Sequence, residues 1–458
     1  MISTAKTKWV RSSAMIATVV LLGAWVAIAQ AGNNGFFRQN SVGGVSITAS
    51  GEMDLAKGDV LAKMVKLRRK LLEGAPAGLS DKIALRKVSL RKLQAALESH
   101  HKQIPIPPIP DTLQYLGGLQ RIKYVFVYPE QNDIVLVGPG EGWKINDEGV
   151  TVGVTTGRPV LMLDDLLVSL RAATNAKNGT ISCSIDPTAE GLKKLRTYIG
   201  KQRQFTPSVI AGIEKSLGPQ TISVNGLPGH DHFTRTIVAA DFQMKRLAMG
   251  FEKSPVADLP DFMTLIKGSP RGLSNMMPRW WLTTNYEPFL QDKAGLAWEL
   301  RGQGVKVETE EDFLKKDGTR KRGVAANPSA KKWADAMTAK YDELSQKMSI
   351  FAELRNCMDM AVVSALIVKQ DMPGKAGLPL TFLLNEKDLM YTDVFNPPKK
   401  VASKARMIRK GRGWLITASG GVKINAFAVA GRSEASTVLA PHWSKAEAAM
   451  KVKTWWSN

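Results

Sequence analysis

The segment from residue 111 to about 300 alternates strand signals with helix signals, and this alternation constrains the fold more than any other feature. Two apolar runs rich in aromatic and β-branched residues, 124–128 and 134–137, flank the turn residues 129–133 and predict a β-hairpin. Further patterns predict helices over 161–172 and 242–251 and strands over 180–185, 221–224 and 234–240. Strands interspersed with helices predict an α/β or α+β fold with a mixed-sheet core.

Helical patterns lie on both sides of this core segment. Residues 55–73 and 80–101 are rich in Lys and Arg and predict a basic helical N-terminal region. Apolar residues between Trp333 and Ala365 recur at steps of three or four, which predicts one long amphipathic helix whose apolar stripe is either core or a partner-binding face. C-terminal strands are expected over 380–384, 414–417 and 422–429.

The first 31 residues have the pattern of a secretory signal peptide. Three basic residues between Lys6 and Arg11 precede an apolar stretch over 14–29, and small residues follow in Ala-x-Ala order. Because the stretch is shorter than the roughly 20 residues of a membrane-spanning helix, cleavage is expected, with a retained N-terminal anchor as the alternative. No later stretch is apolar enough to span a membrane. We therefore expect a secreted or periplasmic protein.

These patterns together predict six segments. They are a signal peptide at 1–31, a Gly/Ser-rich lead with the basic helical region at 32–104, a Pro-rich spacer at 105–110, an α/β core domain at 111–300, the long helix with C-terminal strands packed on the core at 301–436, and a basic, aromatic tail at 437–458.

The chain has an excess of positive charge. Its net charge is +22, and loss of the three basic residues of the signal peptide leaves +19. Such an excess attracts polyanions, and secretion directs the prediction to an anionic envelope polymer or surface rather than cytoplasmic nucleic acid. The candidate binding residues of the predicted basic helix are Lys82, Arg86, Arg91 and Lys92. The alternative is a charge that serves solubility alone.

The triplet His230-Asp231-His232 is the densest group of residues that could bind a metal ion or perform acid/base chemistry. If the segment is extended, His230 and His232 point to one side, as chelation of a divalent metal ion requires. A carboxylate such as Asp241 would have to complete the ligand set. The alternative is a polar loop with surface histidines.

Other residues offer weaker binding signals. Arg158 could clamp a carboxylate or phosphate, and Trp280 and Trp281 form an aromatic doublet of the kind that binds sugar rings and nucleobases. The glycine-rich run 138–143 lacks the Lys-Ser/Thr end of a phosphate-binding loop and predicts a tight turn that presents Trp143 to the core.

The two cysteines, Cys183 and Cys357, each lie in an apolar run. They form either one disulfide bridge or two buried thiols.

Several segments resemble a family of secreted planctomycete proteins that is a domain of unknown function. The resembling segments are 138–143, 156–161, 240–249, 278–282, 296–302 and 351–356, and the likeness extends over roughly 110 to 430. The resemblance implies a signal peptide and an envelope or secreted setting. It implies no catalytic residue.

The predicted function is a non-catalytic binding or structural protein of the cell envelope that associates electrostatically with an anionic polymer. The first alternative is a metal-assisted or acid/base hydrolase that uses His230, Asp231 and His232. The second is an assembly subunit that uses the helix at 333–365.

Overall fold

The computed structural model of the chain describes residues 42–176, 179–202, 206–267, 277–314, 320–324, 327–385, 395–408 and 414–458. The predicted signal peptide at 1–31 lies outside the described residues. Within the described residues, no helix has the length and apolar character that crossing a membrane requires.

The strands are, in chain order, β1 Val45–Ile47, β2 Glu52–Leu55, β3 Ile83–Ser89, β4 Tyr124–Tyr128, β5 Asp133–Gly140, β6 Trp143–Ile145, β7 Thr151–Gly153, β8 Ile181–Asp186, β9 Gln220–Asn225, β10 Met277–Asn285, β11 Phe289–Gln291, β12 Ala297–Glu299, β13 Gly304–Leu314, β14 Arg320–Val324, β15 Lys400–Val401, β16 Arg406–Ile408, β17 Trp414–Ile416, β18 Ser419–Ile424, β19 Ser433–Ala435 and β20 Trp456–Ser457.

The α-helices are α1 Gly58–Leu71, α2 Ala77–Ser80, α3 Leu90–His101, α4 Asp111–Gln114, α5 Leu163–Ala176, α6 Ala189–Gly200, α7 Pro207–Leu217, α8 His232–Ala248, α9 Phe262–Lys267, α10 Pro328–Ala339, α11 Tyr341–Lys347, α12 Ser349–Lys369, α13 Met372–Ala376, α14 Thr381–Leu384, α15 Ala426–Ala430 and α16 Ala440–Ala449.

The strands form two large sheets and two small hairpins in the described part of the chain. The larger sheet has the order β1-β2-β15-β9-β8-β18-β10-β13-β14, and the second has the order β19-β11-β12-β4-β5-β3-β20. In the larger sheet β10 pairs parallel with β18 and antiparallel with β13, so the sheet is mixed. The prediction of an α/β mixed-sheet fold is confirmed, and so is the hairpin, which consists of β4 and β5.

Helix α12 lies at the centre of the main core. Of its 21 residues, 18 are buried, and it packs against α5, α8 and α15. Its carboxylate Asp359 is fully buried and accepts hydrogen bonds from the Arg121 guanidinium at 2.7 and 2.9 Å and from the Tyr286 hydroxyl at 2.7 Å. A buried carboxylate is tolerated when it is paired and hydrogen-bonded in this way.

The predicted single helix over 333–365 is wrong, because three helices, α10, α11 and α12, cover this segment. The backbone leaves the helical region at Met348, where φ is −131° and ψ is 103°. The apolar stripe is core, since Trp333, Met337 and Leu344 are completely buried. A step of three or four residues recurs across all three helices because each one turns its apolar side to the same core.

The predicted helix over 80–101 is wrong in its first half. Residues 83–89 form β3, which lies between β5 and β20, and Ser89 then begins α3 by accepting a hydrogen bond from the Lys92 amide at 3.1 Å. Apolar residues such as Leu85 and Val88 fit a helical spacing and a strand equally well over so short a run. Residues 83–89 form a strand because they pair with β5 and β20, which are distant in sequence.

The predicted strand over 234–240 is also wrong, because these residues belong to α8. The Asp231 side chain accepts a hydrogen bond from the Thr234 amide at 2.7 Å and so satisfies an amide at the helix start. Most of α8 is buried against β8, β18 and α12, and this packing outweighs the β-propensity of residues such as Ile237 and Val238. Two other segments predicted as strand are helical as well: 381–384 is α14, and 426–429 lies in α15.

The glycine pair before Val422 allows β18 to pack closely between β8 and β10. Gly420 has φ of +114°, and a Cβ atom there would lie 2.0 Å from the Trp280 carbonyl oxygen. A Cβ atom on Gly421 would lie 1.8 Å from the Cys183 carbonyl oxygen. Only glycine fits both positions.

The spacer predicted at 105–110 lies between two segments that both contribute to the main core. This core contains Leu93 and Leu97 from one side of the spacer and Leu113 and Leu116 from the other. The segment boundaries stay a prediction.

Candidate functional site

A histidine and two carboxylates from three helices form a buried cluster, which we call the His232 cluster: His232, Asp165 and Glu353. The Nδ1 atom of His232 lies 3.0 Å from both Oδ1 and Oδ2 of Asp165. Its Nε2 atom lies 3.7 Å from Oε1 of Glu353. The side chains of His232, Asp165 and Glu353 are 13%, 3% and 11% exposed, so water reaches the cluster only at its edge.

The local sequence explains how two of these side chains reach the cluster. Asp231 caps α8, and His232 is therefore the first residue of that helix, held against its neighbours α5 and α12. Asp165 lies in the first turn of α5, where the helix dipole favours an acidic side chain.

Burial and the charges of the cluster strongly shift the pKa values of His232 and Glu353. Burial by itself lowers the pKa of His232, but the charges of Asp165 and Glu353 outweigh burial and raise this pKa to about 10. Burial raises the pKa of Glu353 to about 7, although the charge of His232 opposes this shift. The imidazole is therefore protonated at neutral pH and cannot accept a further proton. His232 serves as a charged link between helices, and Glu353 is the member that titrates near neutral pH.

A thiol adjoins the cluster. The Cys357 Sγ atom donates to Oδ2 of Asp165 at 3.8 Å, and burial together with the charge of Asp165 raises the pKa of this thiol. Cys183 is buried in β8, where burial also raises its pKa. Both cysteines are free thiols, which decides between the two alternatives, and neither has the depressed pKa of a reactive thiolate.

The His230-Asp231-His232 triplet is not extended. Asp231 caps a helix, His232 turns to Asp165 and Glu353, and His230 stays exposed while its carbonyl accepts from the Phe395 amide at 2.7 Å. Within the described ranges, no group of three or more His, Cys, Asp or Glu residues is arranged to hold a metal ion.

The suggested completing ligand, Asp241, has another partner. Its Oδ2 atom accepts a hydrogen bond from Nζ of Lys245 at 2.7 Å, inside the core.

The four predicted basic binding residues of 80–101 separate into two pairs. Lys82 and Arg91 are exposed. Arg86 is completely buried and donates to the carbonyls of Leu79 and Gly117, and half-buried Lys92 donates to the carbonyl of Met450 at 2.6 Å. Arg86 and Lys92 therefore stabilise the fold, and only Lys82 and Arg91 face solvent.

Helix α1 is the most basic exposed element of the N-terminal region. It carries five basic residues and one acidic residue, and Val65 is its only buried side chain. The exposed residues Lys63, Lys66 and Lys70 lie on one face because they are three and four residues apart. Among the described residues these three lysines have no ion-pair partner, whereas Arg69 pairs with Asp147 at 2.7 Å.

The glycine-rich run 138–143 begins in β5 and supplies an acid instead of binding an anion. The Glu141 carboxylate accepts hydrogen bonds from the amides of Thr155 at 3.0 Å and Thr156 at 2.9 Å. Burial opposes ionisation, but these bonds and that of the Thr156 hydroxyl lower the pKa of Glu141 to about 2. Glu141 therefore occupies the amides of Thr155 and Thr156, which a bound anion would otherwise use. The side chain of nearby Arg158 is exposed. The predicted tight turn over 138–143 is wrong, because residues 138–140 belong to β5 and Trp143 begins β6, but Trp143 is buried as predicted.

The aromatic doublet Trp280-Trp281 is mainly structural. Trp280 is completely buried and contacts the rings of Phe262 and Trp333 edge-on, at centroid distances of 5.0 and 4.9 Å. Trp281 is half-buried, and its Nε1 atom donates to Glu310 at 2.9 Å. Only Trp281 retains an accessible surface.

A family model matches the middle of the chain. Residues 183–262 match the family described as a protein of unknown function, DUF1598, so the chain contains a DUF1598 domain. The match runs from β8 to the start of α9 and includes His232, whereas Asp165 and Glu353 lie outside it. A search of curated proteins and a search of solved structures found no match.

Sequence reasoning missed two members of the His232 cluster. The sequence patterns assign no site role to Asp165 or to Glu353. The available signal for Glu353 was an acidic residue between Phe351 and Leu354 in a strongly apolar helix. A buried carboxylate at such a position requires a partner, but the pattern cannot say that the partner is His232.

Proposed function

We propose that this protein is a secreted or periplasmic, non-catalytic binding protein of the cell envelope, and that it associates electrostatically with an anionic polymer. The observation that carries the proposal is the row of three lysines on α1, Lys63, Lys66 and Lys70, which have no ion-pair partner in the described part of the chain. The net charge of +22 supports it, because a strongly basic protein concentrates polyanions at its surface. Lys82, Arg91 and Arg158 are further exposed cations that add to the positive charge at the surface.

The proposed location depends on the sequence of residues 1–31, which has the order of charge, apolar stretch and small residues of a signal peptide. The resemblance to secreted planctomycete proteins supports the same location. The DUF1598 domain is consistent with this resemblance at the level of a family of unknown function.

Salt-titrated pelleting of the full chain with isolated cell envelopes tests the proposal. We expect retention at low salt that falls steeply as salt rises, because screening weakens contacts between exposed charges. The variant Lys63→Ala/Lys66→Ala/Lys70→Ala should bind at least about tenfold more weakly, since each lysine near an anionic surface contributes up to about 1 kcal/mol.

The matched control removes three exposed lysines elsewhere, in Lys193→Ala/Lys215→Ala/Lys423→Ala. It loses the same charge and should keep most of the retention. Equal losses in the two triple variants would assign binding to net charge alone. Absence of retention at every salt concentration would overturn the proposal.

A second candidate is acid/base hydrolysis at the His232 cluster. The observation that favours it is Glu353, whose pKa is raised to about 7 by burial and whose Oε2 atom has no hydrogen-bond partner among the described residues. A hydrolase screen should compare the wild type with Glu353→Gln and with His230→Ala, the exposed control. Activity that survives Glu353→Gln with an unchanged pH profile, or that chelators abolish, rules this candidate out.

A further inference from the structure

A cavity of about 320 Å³ lies between the second sheet and helix α16. Strands β3, β4 and β5 provide its floor, which includes Tyr124, Phe126 and Val137, and α16 provides His442 and Lys445. The rings of Tyr124 and His442 are stacked, with centroids 5.1 Å apart. The volume is that of a site for a small molecule and is too small for a polymer.

A buried lysine lines this cavity. Lys87 is only 4% exposed, and its Nζ atom donates to the Leu85 carbonyl at 3.0 Å. Burial and the nearby charge of Lys445 lower the pKa of Lys87. In the sheet, Lys87 is opposite Val137, which is opposite Tyr124, so these side chains share one face.

Neither lysine of the cavity has an ion-pair partner among the described residues, although the C-terminal residue Asn458 also lines the cavity. Its lining contains no Asp or Glu, and in the described part of the chain no carboxylate forms an ion pair with Lys87 or Lys445. Glu299 lies opposite Tyr124 on the neighbouring strand β12. It forms an ion pair with Lys123 at 3.6 Å and not with Lys87 or Lys445. A buried ammonium group with one carbonyl partner is costly, and a bound anion would offset that cost.

Another cavity differs because its lining contains acids. It has a volume of about 810 Å³, is bounded mainly by the loop 250–261, and is lined by three acids, Glu252, Asp258 and Asp261. Glu252 pairs with Arg246 at 3.1 Å, and Asp261 accepts a hydrogen bond from the Thr264 amide at 2.7 Å.

We propose that the cavity at Lys87 binds a small organic anion with an apolar body. The anionic group, a carboxylate or a sulfonate, contacts Lys87 and Lys445. The apolar body packs on Tyr124, Phe126 and Val137. This site lies apart from α1, so the inference does not depend on the proposed association with a polymer.

Fluorescence titration of the full chain with anilinonaphthalene sulfonate tests the inference. The uncharged N-phenylnaphthylamine, which has the same aromatic body without the sulfonate, is the ligand control. We expect one binding site per chain and at least about tenfold weaker binding of the uncharged compound, because a charge-assisted hydrogen bond contributes about 1.4 kcal/mol or more.

Two variants locate the bound probe. Lys87→Gln should weaken binding of the sulfonate about tenfold while Lys215→Gln, an exposed lysine with the same change of charge, leaves it unaltered. Ala84→Phe fills the cavity from an exposed position of β3 and should abolish binding without disturbing the core. Circular dichroism and thermal melting establish that the variants are folded.

Competition identifies the class of anion. Displacement of the probe by dodecanoate indicates an aliphatic anion and displacement by benzoate an aromatic one, and either result supports the site. Displacement by neither competitor overturns the inference. Equal binding to the wild type, Lys87→Gln and Ala84→Phe would also overturn it, because the probe would then bind elsewhere.

Discussion

His232 and Asp165 are joined so that Nδ1 of the imidazole lies 3.0 Å from each carboxylate oxygen of the aspartate. The contact links the first residue of α8 to the first turn of α5, and Glu353 of α12 lies at the opposite side of the ring. Because the imidazolium is held between two carboxylates, the cluster ties three core helices together through charge. This relationship also separates His232 from exposed His230, its neighbour in the predicted metal site.

Asp165→Asn should strongly destabilise the protein. Loss of the carboxylate leaves a buried imidazole without its counter-charge, and breaking a buried ion pair costs about 3–5 kcal/mol. Chemical denaturation at pH 6 measures the free energy of unfolding. His230→Ala is the control and should change it by less than about 0.5 kcal/mol, because His230 is exposed. Equal stability of Asp165→Asn and the wild type would contradict the assigned ion pair.

The contribution of the His232 ion pair to the stability of the fold should disappear at high pH. The pKa of His232 in the folded protein, about 10, lies above the ordinary value of 6.5. The stabilisation is therefore complete below pH 6.5 and is lost as pH rises to 10, where the folded state also releases the proton. The stability difference between the wild type and Asp165→Asn should narrow over this interval. A difference that stays constant from pH 6.5 to 10 would refute the raised pKa.

Glu353 should make stability fall between pH 4.5 and 7. Its pKa is raised from 4.5 to about 7, so over this interval the unfolded state loses its proton before the folded state does. Glu353→Gln cannot ionise and should show a shallower decline than the wild type, by about 1–3 kcal/mol across the interval. Denaturation series at several pH values measure the slope. Parallel slopes for the two proteins would show that Glu353 titrates normally.

Arg86→Met should destabilise the fold, whereas Lys82→Met should not. The buried guanidinium donates to three carbonyls and to the Asn458 side chain at 3.1 Å, and all of these acceptors would lose their donor. The expected cost is about 3 kcal/mol, against less than about 0.5 kcal/mol at exposed Lys82. Thermal or chemical unfolding distinguishes the two. Equal losses of stability in the two variants would contradict the burial of Arg86.

Neither cysteine should react with a thiol reagent in the native protein. Cys183 and Cys357 are at most 1% exposed, and burial raises the pKa of both thiols. After unfolding in guanidinium without reductant, both should be labelled, because both are free. Ser50→Cys, at an exposed position, provides a thiol that reacts in the native state. A denatured protein with no reactive thiol would reveal a disulfide instead.

The sequence correctly predicted those elements whose local pattern is compatible with only one type of secondary structure. The hairpin of β4 and β5 is one, since two apolar runs flank a turn in which Asn132 takes φ of +50°. Helix α5 and strands β8 and β9 are also where the patterns place them. The segments 80–89 and 234–240 were misassigned because their short apolar runs suit both a strand and a helix.

The candidate site was less accessible to sequence reasoning than the fold. His232 was recognised as a residue of interest, but with the wrong conformation and without its partners. Asp165 and Glu353 lie 67 residues before and 121 residues after it in the chain, and no local spacing connects them. Likewise, the charge pattern of 80–92 could not distinguish exposed Lys82 from buried Arg86.

The sequence by itself determined the mixed α/β class, the excess of positive charge and the leader-like pattern of its first residues, since these follow from composition and short-range order. Only the tertiary structure decided which charges are available. It places Arg86, Lys87 and His232 inside and leaves Lys63 and Lys66 outside. The physical reason is that burial and pairing depend on contacts between residues far apart in the chain, and those contacts set both the protonation of a group and its access to a ligand.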